Sequence, residues 1–339
     1  MVTILPIASG KGGVGKTVLA ANLGVCLAGL GRTVVLADLD LGGANLHTCL
    51  GVKNRNPGIG ALAWRQEKSL ANLLVETRVD RLWFIPGDNL LPGTANLEFF
   101  VKQRILRELA RLPADFVLLD LGAGSSYNVV DFFLTSSSGL LVIQPEATSI
   151  LNAYSFLKTS VYRMLFRSFP RASEERRRVA DFVSRRVEGS GASFLELARE
   201  LARDFPASAP PALEQLSRFF PRVVLNEGRG PKDASLGLHL RDMVTRNLGI
   251  PMEYVGFLLR DDAVPRSVAE RTPLALSRPG SPFARGAAAL AARIAAQPGG
   301  APPRLFEDDE DLSGALEEAF RDQDYPVEEG PGEGSAGGP

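Results

Sequence analysis

Between Gly10 and Thr17 the chain reads GKGGVGKT, directly after the apolar run Ile4–Ala8 and directly before a segment rich in alanine and leucine. Strand, glycine loop, helix is the order that phosphate binding requires. Glycines at 10, 12, 13 and 15 let the backbone turn without side chains in the way, so successive N–H groups can point at a phosphate held at the positive end of a helix dipole. Lys16 would set a point charge against the β- and γ-phosphates, and the Thr17 hydroxyl would ligate Mg²⁺, with Val14 and Val18 completing the binding stretch. A glycine-rich turn that merely ends in GKT is the alternative for an isolated match; the flanking strand and helix argue against it.

Two later stretches place carboxylates where such a loop needs them. A strand expected over Thr33–Ala37 runs into DLDLGGANL, with Asp38 and Asp40 on one side if the strand continues. Carboxylates at the carboxyl end of a parallel strand beside a phosphate loop lie where Mg²⁺ and an attacking water must be positioned. The nearly all-apolar run Ala114–Leu119 closes on Asp120 and then LGAG, a Walker B pattern in which Asp120 reaches Mg²⁺ through water. Gly124 completes DxxxG, where its N–H could sense a γ-phosphate. Singly, each has a structural explanation, an aspartate satisfying loop N–H groups or ending a buried strand. Together they arrive in the expected order and spacing.

A second lysine, Lys11, converts the loop to the KGGxGK[ST] form, a deviant Walker A, and with it the chain resembles the MinD/ParA family of P-loop ATPases. Within that family DLDLGGANLHTCLG, including Asn45 and Leu46, is similar to the FlhG/FleN-like flagellar-number regulators. QPEATSILNAYSFLK is similar to a segment that reads PEPTSITDAY there, matching at Pro145, Glu146, Thr148, Ser149, Ile150, Ala153 and Tyr154. The resemblance implies a catalytic set of Lys11, Lys16 and Asp40: Lys11 crosses a dimer interface to the partner's phosphates, and Asp40 orients the water. Asp38 would be structural or in the outer shell of the metal, and Thr17, Asp40 and Asp120 would serve Mg²⁺. The cofactor stretch would run from Gly10 through Lys11, Gly12, Gly13, Val14, Gly15, Lys16 and Thr17 to Val18, with Gly124. Asn226, after the strand Arg222–Leu225, would hydrogen-bond the adenine edge, a role its paired donor and acceptor suit. The loop near Asp262 to Arg266 would pack over the base.

The elements that must position these residues follow from the rest of the chain. With 339 residues, 45% hydrophobic, it can bury one large core or one core with a small appendage. The implied fold is α/β: a Rossmann-like P-loop NTPase with a mainly parallel sheet, helices on both faces and a helical insertion. Residues 1–160 and 221–297 would form the ATPase core. Residues 161–220 exceed the roughly 30 residues of a βαβ unit and read as the insertion, with a basic helix carrying Arg176, Arg177, Arg178, Arg185 and Arg186. Those arginines could meet nucleic acid, an acidic partner or anionic lipid, or form a solvated face. The basic residues of a helix over Ala95–Arg111 read as solvated. Residues 298–339 read as a disordered acidic tail in which Leu312, Ala315, Leu316, Ala319 and Phe320 fall at helical spacing, for docking on a partner or on the basic insertion.

Net charge of −1 gives no global case for nucleic acid. Cys26 and Cys49, far apart and without CxxC spacing, suit a reducing cytosol, and no run is long and apolar enough to span a membrane. The expectation is a cytoplasmic protein, its recruitment to membrane or cell pole left open. The function implied is a slow, regulatory ATP hydrolase: a homodimer when bound to ATP and Mg²⁺, engaging an unidentified protein partner through its dimer surface, insertion or tail. Its process would be spatial organisation or number control of flagella or another polar structure. The rival readings are a DNA-partitioning ATPase of the ParA kind and a nucleotide-binding regulator without significant turnover.

Overall fold

The structure, a computed structural model, describes residues 2–53, 55–64, 66–87, 97, 99–187, 193–297 and 309–321. In chain order, β1 (Thr3–Ser9) leads to α1 (Lys16–Gly29), β2 (Val34–Leu39), the short helices α2 (Leu46–Leu50) and α3 (Ile59–Ala63), β3 (Val75–Glu76) and β4 (Leu82–Ile85). There follow α4 (Phe99–Leu109), β5 (Phe116–Ala123), α5 (Tyr127–Phe133), β6 (Leu140–Ile143) and the long α6 (Ala147–Ser168). Helices α7 (Glu174–Val187), α8 (Phe194–Asp204) and α9 (Ala209–Ser217) precede β7 (Arg222–Gly228), α10 (Ala234–Leu248) and β8 (Glu253–Leu259). The described chain closes with α11 (Ala263–Ala269), α12 (Leu274–Ser277), α13 (Pro282–Ala296) and α14 (Glu310–Phe320).

The strands form one sheet in the order β3-β4-β2-β5-β1-β6-β7-β8. Every pairing is parallel except that of the two-residue β3 with β4. Helices cover both faces, which is why the central strands read as unbroken apolar runs rather than alternating ones. One core lies between the sheet and α4, α5, α6, α10 and α14; the other is filled by α1, α2, α12 and α13. This is the α/β P-loop architecture expected from the sequence. Among the described residues no helix is long and apolar enough to cross a membrane.

Three expectations are corrected by packing. Helix α6 does not stop at 160: Val161 and Leu165 continue the buried stripe of Ile150, Ala153 and Leu157, so the helix runs to Ser168 and the additional segment starts after it. Helices α7 to α9 bury Val179, Leu197, Leu201 and Leu216 in the same core as the sheet, and Tyr162 of α6 packs its ring on Phe182 and Phe194. The segment is therefore an outer layer on the same core. Nor is the basic side of α4 solvated throughout: Arg107 and Arg111 are exposed, but the other two are not. Lys102 is buried against Asp131 of α5 at 2.6 Å, and Arg104 donates to the carbonyls of Leu62 (3.1 Å) and Glu67 (3.0 Å).

The third correction concerns the acidic C-terminal segment. Residues 310–320 are an ordered helix seated on the edge strand β8, not on the insertion; 298–308 and 322–339 lie outside the described residues. An edge strand leaves N–H groups unpaired, and Asp311 accepts the one from Tyr254 at 2.6 Å while also pairing with Arg241 at 2.5 Å. Asp309 joins the same arginine, Glu318 meets Arg293 of α13 at 2.8 Å, and Leu312 and Ala315 are buried. The acidic residues thus complement basic ones on α10 and α13. Replacing Asp311 by Ala leaves the Tyr254 N–H without its acceptor and Arg241 with Asp309 alone; the expected loss is about 3 kcal/mol of stability, read by urea unfolding, with residues 310–321 becoming fast-exchanging in hydrogen exchange.

Candidate active site

β1 ends at Ser9, and the loop from Gly10 turns the chain straight into α1, whose first residue is Lys16. Gly15 sits in the left-handed region at φ 85°, and a Cβ there would strike the Asn226 side chain. At Gly10 a Cβ would strike the backbone of Asn152 in α6. Only glycine fits either position, the first for conformation as well as space, the second for close approach alone. Asn226, at the end of β7, donates from Nδ2 to the Val14 carbonyl at 2.8 Å and so braces the loop. Its Oδ1 is buried without a protein partner. Lys16 is 7% exposed.

Across from the loop, Asp38 of β2 pairs in register with Asp120 of β5, and both are buried, at 0% and 1% exposure. Asp38 accepts the N–H groups of Asp40 (3.2 Å) and Leu46 (3.0 Å), which folds the following loop back over the strand end. β2 ends at Leu39, so Asp40 begins the loop and does not share the strand geometry of Asp38. Neither oxygen of Asp120 finds a protein donor in hydrogen-bonding geometry. Burial and the neighbouring Asp120 carboxylate push Asp38 up to about 8. Burial also lifts Asp120 to about 6, with Lys16 and the Thr17 hydroxyl pulling it down and Asp40 pushing it up.

A desolvated carboxylate with two open oxygens, beside an ammonium and a hydroxyl, fits a divalent cation shared with phosphate. Among the described residues no group of three or more His, Cys, Asp or Glu could hold a metal unaided. Mg²⁺ asks for no such cage, since it keeps several waters and binds through one or two carboxylates plus substrate phosphates.

Between the loop and the end of β8 lies a cavity of about 140 Å³ lined by Gly15, Val18, Asn226, Asp261, Val264 and Pro265. The open Asn226 Oδ1 and a compartment of purine-like size adjoin one another here. Asp261, which the sequence reading passed over, shapes the far wall by accepting the N–H groups of Ala263 (2.9 Å) and Phe283 (3.3 Å). Its signal was available: an aspartate two residues before the start of α11, capping a turn.

Two residues of the reading are placed differently. The N–H of Gly124 donates to the Ser9 carbonyl at 3.0 Å, which ties the loop after β5 to β1, so in this conformation it is not offered to a γ-phosphate. Lys11 pairs with Glu146, the N-cap residue of α6, at 2.5 Å, and holds that carboxyl below its ordinary range. The structure thus gathers Gly10 to Val18, Asp38, Asp40, Asp120 and Asn226 at one end of the sheet, with Lys11 held toward α6 in the single chain.

The profile of the CobQ/CobB/MinD/ParA nucleotide-binding domain matches residues 5–274. The antiactivator FleN of Pseudomonas aeruginosa is 31% identical over 166 residues, covering 46% of this chain and 56% of that protein. The flagellum site-determining protein YlxH of Helicobacter pylori is 33% identical over 161 residues, covering 45% and 52%. The chain therefore spans about half the length of the curated relatives it matches. Among solved structures, the septum site-determining protein MinD of Pyrococcus horikoshii complexed with Mg-ADP superposes with a TM-score of 0.58 at 20% identity, covering 87% of this chain and 96% of that one. That likeness concerns the fold.

Asp38 and Asp120 hold protons more tightly folded than unfolded, where their pKa is 3.8. Stability of the nucleotide-free chain should accordingly fall as pH rises from about 4 through about 6 to about 8, the window of the two raised values. Asp120→Asn removes one buried charge without breaking a hydrogen bond. Thermal unfolding should show a higher midpoint than wild type at pH 8 and a flatter decline across that window, while Mg²⁺-dependent nucleotide affinity drops.

Proposed function

The chain belongs to the CobQ/CobB/MinD/ParA nucleotide-binding family, and from that premise we propose that it is a slow ATPase whose ATP-bound form is a homodimer that engages a protein partner. The observation that carries the nucleotide assignment is the pairing of two open buried acceptors, Asp120 at the phosphate end of the loop and Asn226 Oδ1 at the base-sized cavity. Gly10 to Gly15 supply backbone N–H groups to the phosphates, Lys16 neutralises their charge, and Asn226 takes the exocyclic amine of adenine. Thr17 and Asp120 would hold Mg²⁺, which when bound neutralises phosphate charge. Asp40, outside the strand and half-exposed, orients the attacking water from the loop after β2.

The dimer rests on Lys11. In the single chain Glu146 occupies its ammonium, so this lysine adds nothing to its own loop until that pair opens. A triphosphate on a facing subunit is the stronger anion for it, and exchanging Glu146 for phosphate couples nucleotide to association. Slow turnover follows, because one cation of the set arrives only with the partner. The process we infer is spatial organisation or number control of flagella or another polar structure, supported by the relatives named FleN and YlxH. Two of the α7 arginines behind the DNA-contact reading are engaged within the chain: Arg176 stacks on Phe166 at 4.0 Å and Arg178 pairs with Asp204 at 3.5 Å, while Arg177 is exposed.

Light scattering with a nonhydrolysable ATP analogue and Mg²⁺ should double the mass of wild type and leave Lys11→Ala single, although that variant still binds nucleotide. Phosphate release by Asp40→Ala should be slower by about tenfold or more with ATP binding retained. A wild type that stays single with the analogue overturns the switch; equal release from both proteins overturns the role of Asp40.

A further inference from the structure

β7 does not reach its end as a regular strand. Leu225 pairs with Phe257 of β8 and Gly228 with Leu259, so Asn226 and Glu227 together stand opposite Leu258 alone. The extra residue makes a bulge, which breaks the ladder and re-aims a side chain. Glu227 takes the bend at φ 60°, in the left-handed region, where a residue other than glycine stays only if its surroundings hold it. The side chain so aimed is that of Asn226, with Nδ2 on the Val14 carbonyl and Oδ1 open beside the base-sized cavity.

The bulge is held from the β8 side. Arg260 donates its N–H to the Gly228 carbonyl at 2.8 Å. A Cβ on Gly228 would strike the Phe257 ring, so that ring fills the space a side chain at 228 would take. Phe257 is buried, and its ring packs on that of Phe320 in α14, with centroids 5.8 Å apart. The end of α14 is pinned there: Glu318 accepts from Arg293 at 2.8 Å, and Arg293 also donates to the Val255 carbonyl of β8 at 2.5 Å. A continuous line of packed groups thus runs from the last turn of α14 through Phe257 and Gly228 to the bulge that carries Asn226.

We propose that α14 positions the base contact: Phe320, acting through Phe257, holds the bulge that aims Asn226, so that docking of α14 on β8 and binding of adenine each strengthen the other. The coupling rests on the assignment of Asn226 to adenine made above. Without the Phe320 ring, Phe257 gains room on its outer side and the support against Gly228 slackens. Interiors are close-packed, so a ring that moves on one side is felt on the other. Whatever lifts α14 from β8 thereby weakens adenine binding, and bound adenine holds the helix down. Phe320 touches no nucleotide in this scheme and is a positioning residue.

The test uses the full chain and calorimetric titration with two ligands, a nonhydrolysable ATP analogue and inorganic tripolyphosphate, each with Mg²⁺. Phe320→Ala should weaken the analogue by about fivefold or more beyond any loss for tripolyphosphate, which has no base. Phe320→Tyr, which keeps the ring, should bind both like wild type. By reciprocity the analogue should slow hydrogen exchange of residues 310–320 in wild type by a similar factor relative to tripolyphosphate. Unchanged affinity of Phe320→Ala for the analogue, an equal loss for both ligands, or exchange in α14 that is the same with either ligand overturns the proposal. If Phe320→Ala does not fold, the exchange measurement on wild type decides alone. A wild type that binds neither ligand overturns the nucleotide reading and the coupling together, whereas any of the other failures leaves that reading in place.

Discussion

Asp38 and Asp120 are buried next to one another at the carboxyl ends of adjacent strands. Their mutual repulsion is the constraint on which this end of the molecule is built. Asp38 is held by two backbone N–H groups, and in return it fixes the loop that carries Asp40. Asp120 is left with two open oxygens facing Lys16 and Thr17. A site arranged this way is poor at being empty, because a desolvated anion without a partner costs more than a paired one. It is suited to a ligand that brings a cation and takes up the positive charge of the loop.

The same economy of charge recurs on the α5 side. Asp131 gathers cations from α4 and α6, which locks the helix after the Asp120 loop against its neighbours on both sides. Helices α7 to α9 share one core with α6 and with Val129, Val130, Phe132 and Phe133 of α5. Lys11 and Glu146 form a third pairing, at the head of α6. The last two meet on α6, the longest described helix, which touches the phosphate loop at one end and the added layer at the other.

How legible this was depended on whether the deciding interaction is local. The loop Gly10–Thr17, the strand-ending Asp120 and the parallel sheet are visible in the sequence because glycine conformation, apolar runs and strand–loop–helix order are properties of neighbouring residues. Helix α5 was not foreseen, since its seven residues follow a glycine-rich loop and gain their stability from Val129, Val130, Phe132 and Phe133 buried against distant elements. Lys102 and Arg104 read as solvated because their partners are about 30 to 40 residues away in the chain.

The sequence by itself determined that a phosphate-binding loop opens an α/β core and that carboxylates follow it at strand ends, because each of those patterns is written in residues that touch their own neighbours. Only the tertiary structure decided that Lys11 rests on Glu146, that the Gly124 N–H is taken by Ser9, that the insertion belongs to the core, and that the acidic segment covers the edge of β8. Each of those is a choice among partners far apart in the chain, settled by which buried donors and charges would otherwise have been left without one.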